Sequence, residues 1–148
     1  MRSKHPLLFL STREKEKIVQ AIREAEKETS GEIRVHLARG RDKEVLPHAK
    51  EIFEKIGMTK TQHRNGVLIF LAVQDKRFCV IGDQGIHEKV PAHFWNEMIH
   101  RMQTCFKENR FAEGIVEAVL MTGKKLQEYF PSQRRDENEL PDRISYSR

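Results

Sequence analysis

The feature that most constrains this chain is its longest unbroken apolar run, Val-Leu-Ile-Phe-Leu-Ala-Val at residues 67–73. The run is short and rich in β-branched residues. It is entered through Asn65-Gly66 and left through Gln74-Asp75-Lys76. That pattern predicts a strand buried on both faces. Residues 78–81, Phe-Cys-Val-Ile, follow the polar stretch 74–77, a spacing that predicts an antiparallel hairpin. The hairpin closes at Gly82-Asp83-Gln84-Gly85, and helical spacing begins after it. Residues 64–85 therefore form the centre of the predicted fold and the first place to look for a site.

The flanks supply the rest of the fold. Ser11-Thr12-Arg13-Glu14 is a capping box, and Ile18, Ile22 and Ala25 form the apolar stripe of the helix it opens. Gly31 is a stop signal for that helix. Residues 32–38 alternate strictly, with Ile33, Val35 and Leu37 on one side and Glu32, Arg34 and His36 on the other. This predicts a strand with one less buried face, nearer a sheet edge, and makes Arg34 and His36 a surface pair. After the loop at 40–44, Pro47 suits a first helical turn. Ala49, Ile52, Phe53 and Ile56 form its stripe, and Gly57 ends it. A strand–helix–strand passage of this length implies a right-handed crossover between parallel strands.

Beyond the hairpin, residues 86–90 lead to Pro91. Phe94, Trp95, Met98, Met102 and Phe106 then recur at helical spacing. After a break at 107–110, Phe111, Ile115, Ala118, Val119, Thr122 and Leu126 mark a last helix ending near Pro131. These two helices are expected to cover the sheet face that the crossover leaves open. Residues 1–131 read as one domain and residues 132–148 as a polar, flexible tail, with Leu140 and Ile144 the residues able to dock back. No internal repeat is visible.

Composition narrows the class. Charged residues make up 33% of the 148, with a net charge of +5. The last eighteen residues balance four arginines against four acids, so the excess lies in the body. It suits a phosphate-containing ligand or an acidic partner, and without interleaved aromatics it gives no clear nucleic-acid signal. No run is long enough to cross a bilayer, and the apolar stretch at 7–10 is too short for a signal peptide. Cys79 and Cys105 belong to no metal or redox motif and read as buried reduced thiols. The expectation is a soluble, cytoplasmic protein.

Four short motifs occur in order. They are Ser30-Gly31-Glu32-Ile33, Arg64-Asn65-Gly66-Val67-Leu68, Gly82-Asp83-Gln84-Gly85-Ile86 and Phe111-Ala112-Glu113-Gly114-Ile115. Together, over about residues 10–130, the chain resembles the TPM domain family. The resemblance implies a three-layer α/β/α sandwich with a small mixed β-sheet. It also implies a choice among weak acid phosphatase activity, divalent-metal binding, and regulatory or assembly roles on membrane complexes. The commonest family form is exported and followed by a transmembrane helix or low-complexity tail, neither of which is expected here.

The predicted topology gathers Glu32, Asn65 and Asp83 along one sheet edge. Two carboxylates and an amide oxygen are hard donors suited to Ca²⁺ or Mg²⁺. The alternative is turn chemistry, in which Glu32 is solvated or caps, Asn65-Gly66 turns, and Asp83 serves its own loop. Arg64, with the glycine-bracketed loop of Gly82 and Gly85, is the candidate site for a phosphate-containing ligand, and His87 and Lys89 are further donors nearby. A purely structural turn is the competing reading, since the Lys-Ser/Thr ending of a phosphate loop is missing. His93, Glu97 and His100 read as a solvated helix stripe. The expected function is a divalent-metal-binding interaction or regulatory module with an unidentified protein partner. The alternative is a weak metal-dependent phosphatase acting on phosphomonoesters.

Overall fold

A computed structural model describes residues 2–40, 43–132 and 144–147. A short helix α1 (Pro6–Phe9) precedes α2 (Thr12–Glu26), whose start is the predicted capping box. Ser11 Oγ accepts from the Glu14 amide at 3.1 Å, and Glu14 Oε1 accepts from the Ser11 amide at 2.9 Å. Strand β1 (Glu32–Ala38), helix α3 (Val45–Lys55) and strand β2 (Gly66–Ala72) form the crossover, with a 3-10 turn at Met58–Lys60. Strand β3 (Arg77–Gly82) returns antiparallel to β2. Helices α4 (Gln84–Lys89), α5 (Ala92–Lys107) and α6 (Phe111–Tyr129) follow, and strand β4 (Ile144–Ser147) comes last.

The sheet order is β3-β2-β1-β4, with β1 parallel to both β2 and β4. One face carries Ile33, Val35, Val67, Ile69 and Leu71 against Ile18 and Ile22 of α2, Met98 of α5, and Ile115 and Val119 of α6. The other carries Leu68, Phe70 and Ala72 against Ala49, Ile52 and Phe53 of α3, with Met58 beside them. This is the expected α/β/α sandwich with a small mixed sheet. Among the described residues no helix is long and apolar enough to cross a membrane. His93, Glu97 and His100 are exposed, as the helix stripe predicted.

Two expectations are corrected together. Strand β1 lies inside the sheet, and Arg34 and His36 are buried, at 4% and 1% exposure. The cause is β4, which runs beside β1 from the Val35–Ile144 pair to the Ala38–Ser147 pair. The predicted flexible tail is therefore ordered as a strand at residues 144–147, while 133–143, including Leu140, lie outside the described residues. Alternate side chains on β4 explain the pairing. Ser145 and Ser147 meet the two nitrogens of the His36 ring, at 2.6 Å from Nδ1 and 2.8 Å from Nε2. The same ring stacks on Phe70. Burial, with help from His48 and Arg34, pushes the His36 imidazole down to about 4.

Removing residues 144–148 should destabilise the protein. It exposes the pocket of Ile144 and strips His36 of both hydroxyls. Losses of about 1.5–3 kcal/mol for the apolar side chain and about 1–3 kcal/mol for the unpaired ring would lower Tm by roughly 10 °C. An unchanged thermal midpoint would show that β4 adds nothing.

His36 also sets a pH dependence. Its pKa is lower folded than unfolded, so protons favour the unfolded chain between the two values. The contribution is intact above about pH 6.5 and is lost as pH falls toward 4, by on the order of 2–3 kcal/mol. Glu14 acts in a separate window. Its carboxyl is held down at about 2 by Arg2, so its contribution persists above about pH 4.5 and is lost only as pH falls toward 2. Urea unfolding from pH 7 to 4, beside NMR titration of the His36 ring, checks the prediction, and a ring titrating near 6.5 would refute it.

Candidate functional site

One end of the sheet collects the predicted site residues. Glu32 begins β1 opposite Gly66, and the Asp83 amide donates to the Gly66 carbonyl at 2.9 Å. Glu32, Gly66 and Asp83 thus stand in line across three strands, with Asn65 one residue before β2. The structure brings the three candidate ligands to one end of the sheet but not to one point. Glu32 and Asp83 lie on either side of β2, two strand spacings of about 4.8 Å apart. Between them Met58 closes over Gly66, where an added Cβ would meet the Met58 carbonyl oxygen at 3.1 Å. Among the described residues no group of three or more His, Cys, Asp or Glu side chains is placed to hold a metal ion.

Asp83 is heavily used within the fold. Its carboxylate accepts from Arg64 Nε at 2.6 Å and Nη2 at 2.7 Å, and from the Gln84 amide at 2.8 Å as the cap of α4. The aspartate side chain is 5% exposed and the arginine side chain 39%. This bidentate charge-assisted geometry is the strong form of an ion pair, and it raises the Arg64 pKa. Arg64 itself sits at φ 50°, a left-handed conformation uncommon outside glycine, which turns its carbonyl toward Gly85. The Gly85 amide donates to that carbonyl at 2.9 Å.

Gly85 permits this closure. A Cβ there would lie 2.4 Å from the His63 carbonyl oxygen and 2.7 Å from that of Arg64. At Gly82 a Cβ would press on Ile86 at 2.7 Å. Both bracketing glycines therefore serve close packing of the loop. The Gln84 and Gly85 amides, which the anion reading needs free, are engaged inside the protein. The His87 amide donates to the Asp83 carbonyl, and the Lys89 ammonium lies over the Phe130 ring at 4.8 Å.

Asn65 is fully buried, at 0% exposure. Its amide donates to Thr61 Oγ1 at 3.1 Å, its Nδ2 donates to Ser30 Oγ at 3.2 Å, and its carbonyl accepts from the Glu32 amide at 3.4 Å. Its Oδ1 has no hydrogen-bond partner among the described residues. Buried polar atoms are nearly always paired, so this oxygen is an acceptor that the described fold leaves over. Glu32 is 3% exposed and already engaged within the fold. Thr61 and Met58 also shape this end of the sheet and carry no signal in the sequence, while Ser30 belongs to the Ser-Gly-Glu-Ile motif that opens β1.

The donor chemistry fits a hard divalent cation, because carboxylate and amide oxygens are its natural ligands. At rest, however, the positive charge at Asp83 is supplied by Arg64. The cysteines offer no competing chemistry. Burial pushes the Cys79 thiol up to about 11 and raises that of Cys105, so both are protonated at neutral pH, and both are free thiols.

Comparison with known proteins places the fold. The TPM domain family model matches residues 7–125. Among solved structures, the NMR structure of the BA42 protein from the psychrophilic bacterium Bizionia argentinensis superposes with a TM-score of 0.88 at 43% identity, covering 93% of this chain and 95% of that one. The N-terminal domain of a protein from P. gingivalis gives a TM-score of 0.68 at 23% identity, over 82% of this chain and 78% of that one. The N-terminal domain of cg2496 from Corynebacterium glutamicum gives 0.63 at 12%, over 79% and 74%. These last two show the fold alone. No curated protein matches the chain. With the family match running from the first helix through most of the last, and a 43% identical structure spanning nearly the whole chain, the protein belongs to the TPM domain family.

Proposed function

We propose that this TPM domain is a divalent-cation-responsive interaction or regulatory module, in which Ca²⁺ or Mg²⁺ competes with the Arg64 guanidinium for Asp83. The observation that carries the reading is the unpartnered, fully buried Asn65 Oδ1 at the same sheet end as a carboxylate neutralised by a half-exposed arginine. Asp83 is the residue that would hold the ion, with Asn65 Oδ1 and Glu32 as further oxygen donors at the same end of the sheet. A bound cation supplies the compensating charge that Arg64 now supplies. Released from Asp83, Arg64 would present a free guanidinium at the surface, and that change is what a partner would sense.

The same release favours a second reading. A free guanidinium beside a bound cation is the pair of charges that a phosphomonoester needs. A weak metal-dependent phosphatase is therefore the alternative, with Arg64 as the phosphate-binding residue and Gly82 and Gly85 shaping the loop beneath it. The domain's own thiols contribute no nucleophile to it.

Calorimetric titration with CaCl₂ and MgCl₂ separates these outcomes. Asp83→Asn keeps a good helix cap while removing the charge, and should weaken binding tenfold or more. Arg64→Gln removes the internal competitor and should tighten binding severalfold. A weaker or unchanged affinity in Arg64→Gln would overturn the competition, and no binding to the wild type at 10 mM would overturn the cation reading altogether. Metal-dependent phosphomonoester hydrolysis that disappears in Asp83→Asn would favour the enzyme over the module.

A further inference from the structure

We infer that the outer edge of β3 is a docking site for an extended acidic segment of a partner protein, which adds to the sheet as a fifth strand. The inference does not rest on the cation site. Strand β3 ends the sheet, with β2 on one side and no strand on the other among the described residues. The Asp83 amide bonds toward β2, and antiparallel ladders alternate. Ile81, Cys79 and Arg77 therefore also turn their backbone groups toward β2, while Phe78, Val80 and Gly82 turn theirs outward. Among the described residues, no hydrogen bond outside the sheet engages the backbone of these three.

The edge lacks most of the usual protections. Folded proteins blunt edge strands with prolines, bulges or charges pointing inward. Here the register with β2 runs unbroken over six pairs, from Val67–Gly82 to Ala72–Arg77. Phe78, Cys79, Val80, Ile81 and Gly82 are all only half-buried, and none is charged. A row of outward backbone donors and acceptors with no strand paired to it among the described residues, and apolar side chains on both faces, is the surface that strand addition uses.

Charge selects the occupant. At the start of β3 a hollow of about 430 Å³ is lined by Lys76, Arg77 and Lys107 around Phe78 and Phe106. All three basic residues are exposed, and no carboxylate lines the hollow. Asp75 belongs to the same turn but lies outside that lining. A strand carrying apolar residues in alternation with Asp or Glu would pair its backbone along Phe78 and Val80 and set its acids against this cluster. A membrane surface has no backbone to satisfy the edge. A second copy of this chain would bring another net charge of +5.

The test is selection from a displayed library of random dodecapeptides on the full chain, followed by NMR with the enriched peptides. Enrichment of acidic, alternating sequences is expected, with shifted and exchange-protected amides at Phe78, Val80 and Gly82. Val80→Pro removes an outward amide, a change edge strands tolerate, and should weaken binding at least tenfold. K76E/R77E/K107E leaves the backbone intact and should do the same, which keeps the test decisive if Val80→Pro does not fold. No enrichment, enrichment without acidic excess, or binding unchanged in K76E/R77E/K107E would overturn the proposal. A dimer detected by light scattering that Val80→Pro dissociates would overturn it in favour of a second copy.

Discussion

Everything in this fold follows from the burial of β2. Residues 66–73 are at most 3% exposed where they are apolar, and no side chain among them is polar. Burying Val67, Leu68, Ile69, Phe70 and Leu71 is worth on the order of 10 kcal/mol as an upper estimate, comparable to the net stability of a whole domain. A strand with two apolar faces requires a layer of helix on each, and its backbone requires a strand on each side. Helix α3 covers one face while carrying the chain from β1. Helices α2, α5 and α6 cover the other.

Strand β1 solves a harder problem beside it. It turns Glu32, Arg34 and His36 into the layer between sheet and α3, where water does not compensate them. For His36 the solution is the last strand of the chain, whose serines bring hydroxyls to both ring nitrogens. Hydroxyls can donate or accept, so either neutral tautomer of the ring is satisfied. The burial that makes this arrangement specific also penalises the protonated ring, and so couples the end of the chain to pH.

At the open end of the sheet, the Arg64–Asp83 pair joins the loop entering β2 to the turn leaving β3. Gly85 allows that closure by letting two carbonyls approach where a side chain would collide. The tie is strong, but its arginine is accessible and its aspartate is not. Backbone bonds from the Asp83 amide to the Gly66 carbonyl and from the Gly85 amide to the Arg64 carbonyl join the same loops alongside the ion pair.

The sequence by itself determined the elements whose signals are local. The apolar run of β2, the polar turn to β3, the Ser11 capping box and the stripes of α2, α3, α5 and α6 all read correctly, because periodicity and capping depend on near neighbours. The parallel crossover followed from its length, and it placed Glu32, Asn65 and Asp83 at one end of the sheet. Only the tertiary structure decided that β1 is interior, since this rests on hydroxyls more than a hundred residues away in a polar segment with little apolar signal. It alone decided that Met58 stands between the two carboxylates and that Arg64 already holds Asp83. Alternation in β1 shows which side chains share a face, but not what lies against that face. Whether a polar face meets water, serine or arginine depends on chain segments brought together from a distance, and no local pattern records that.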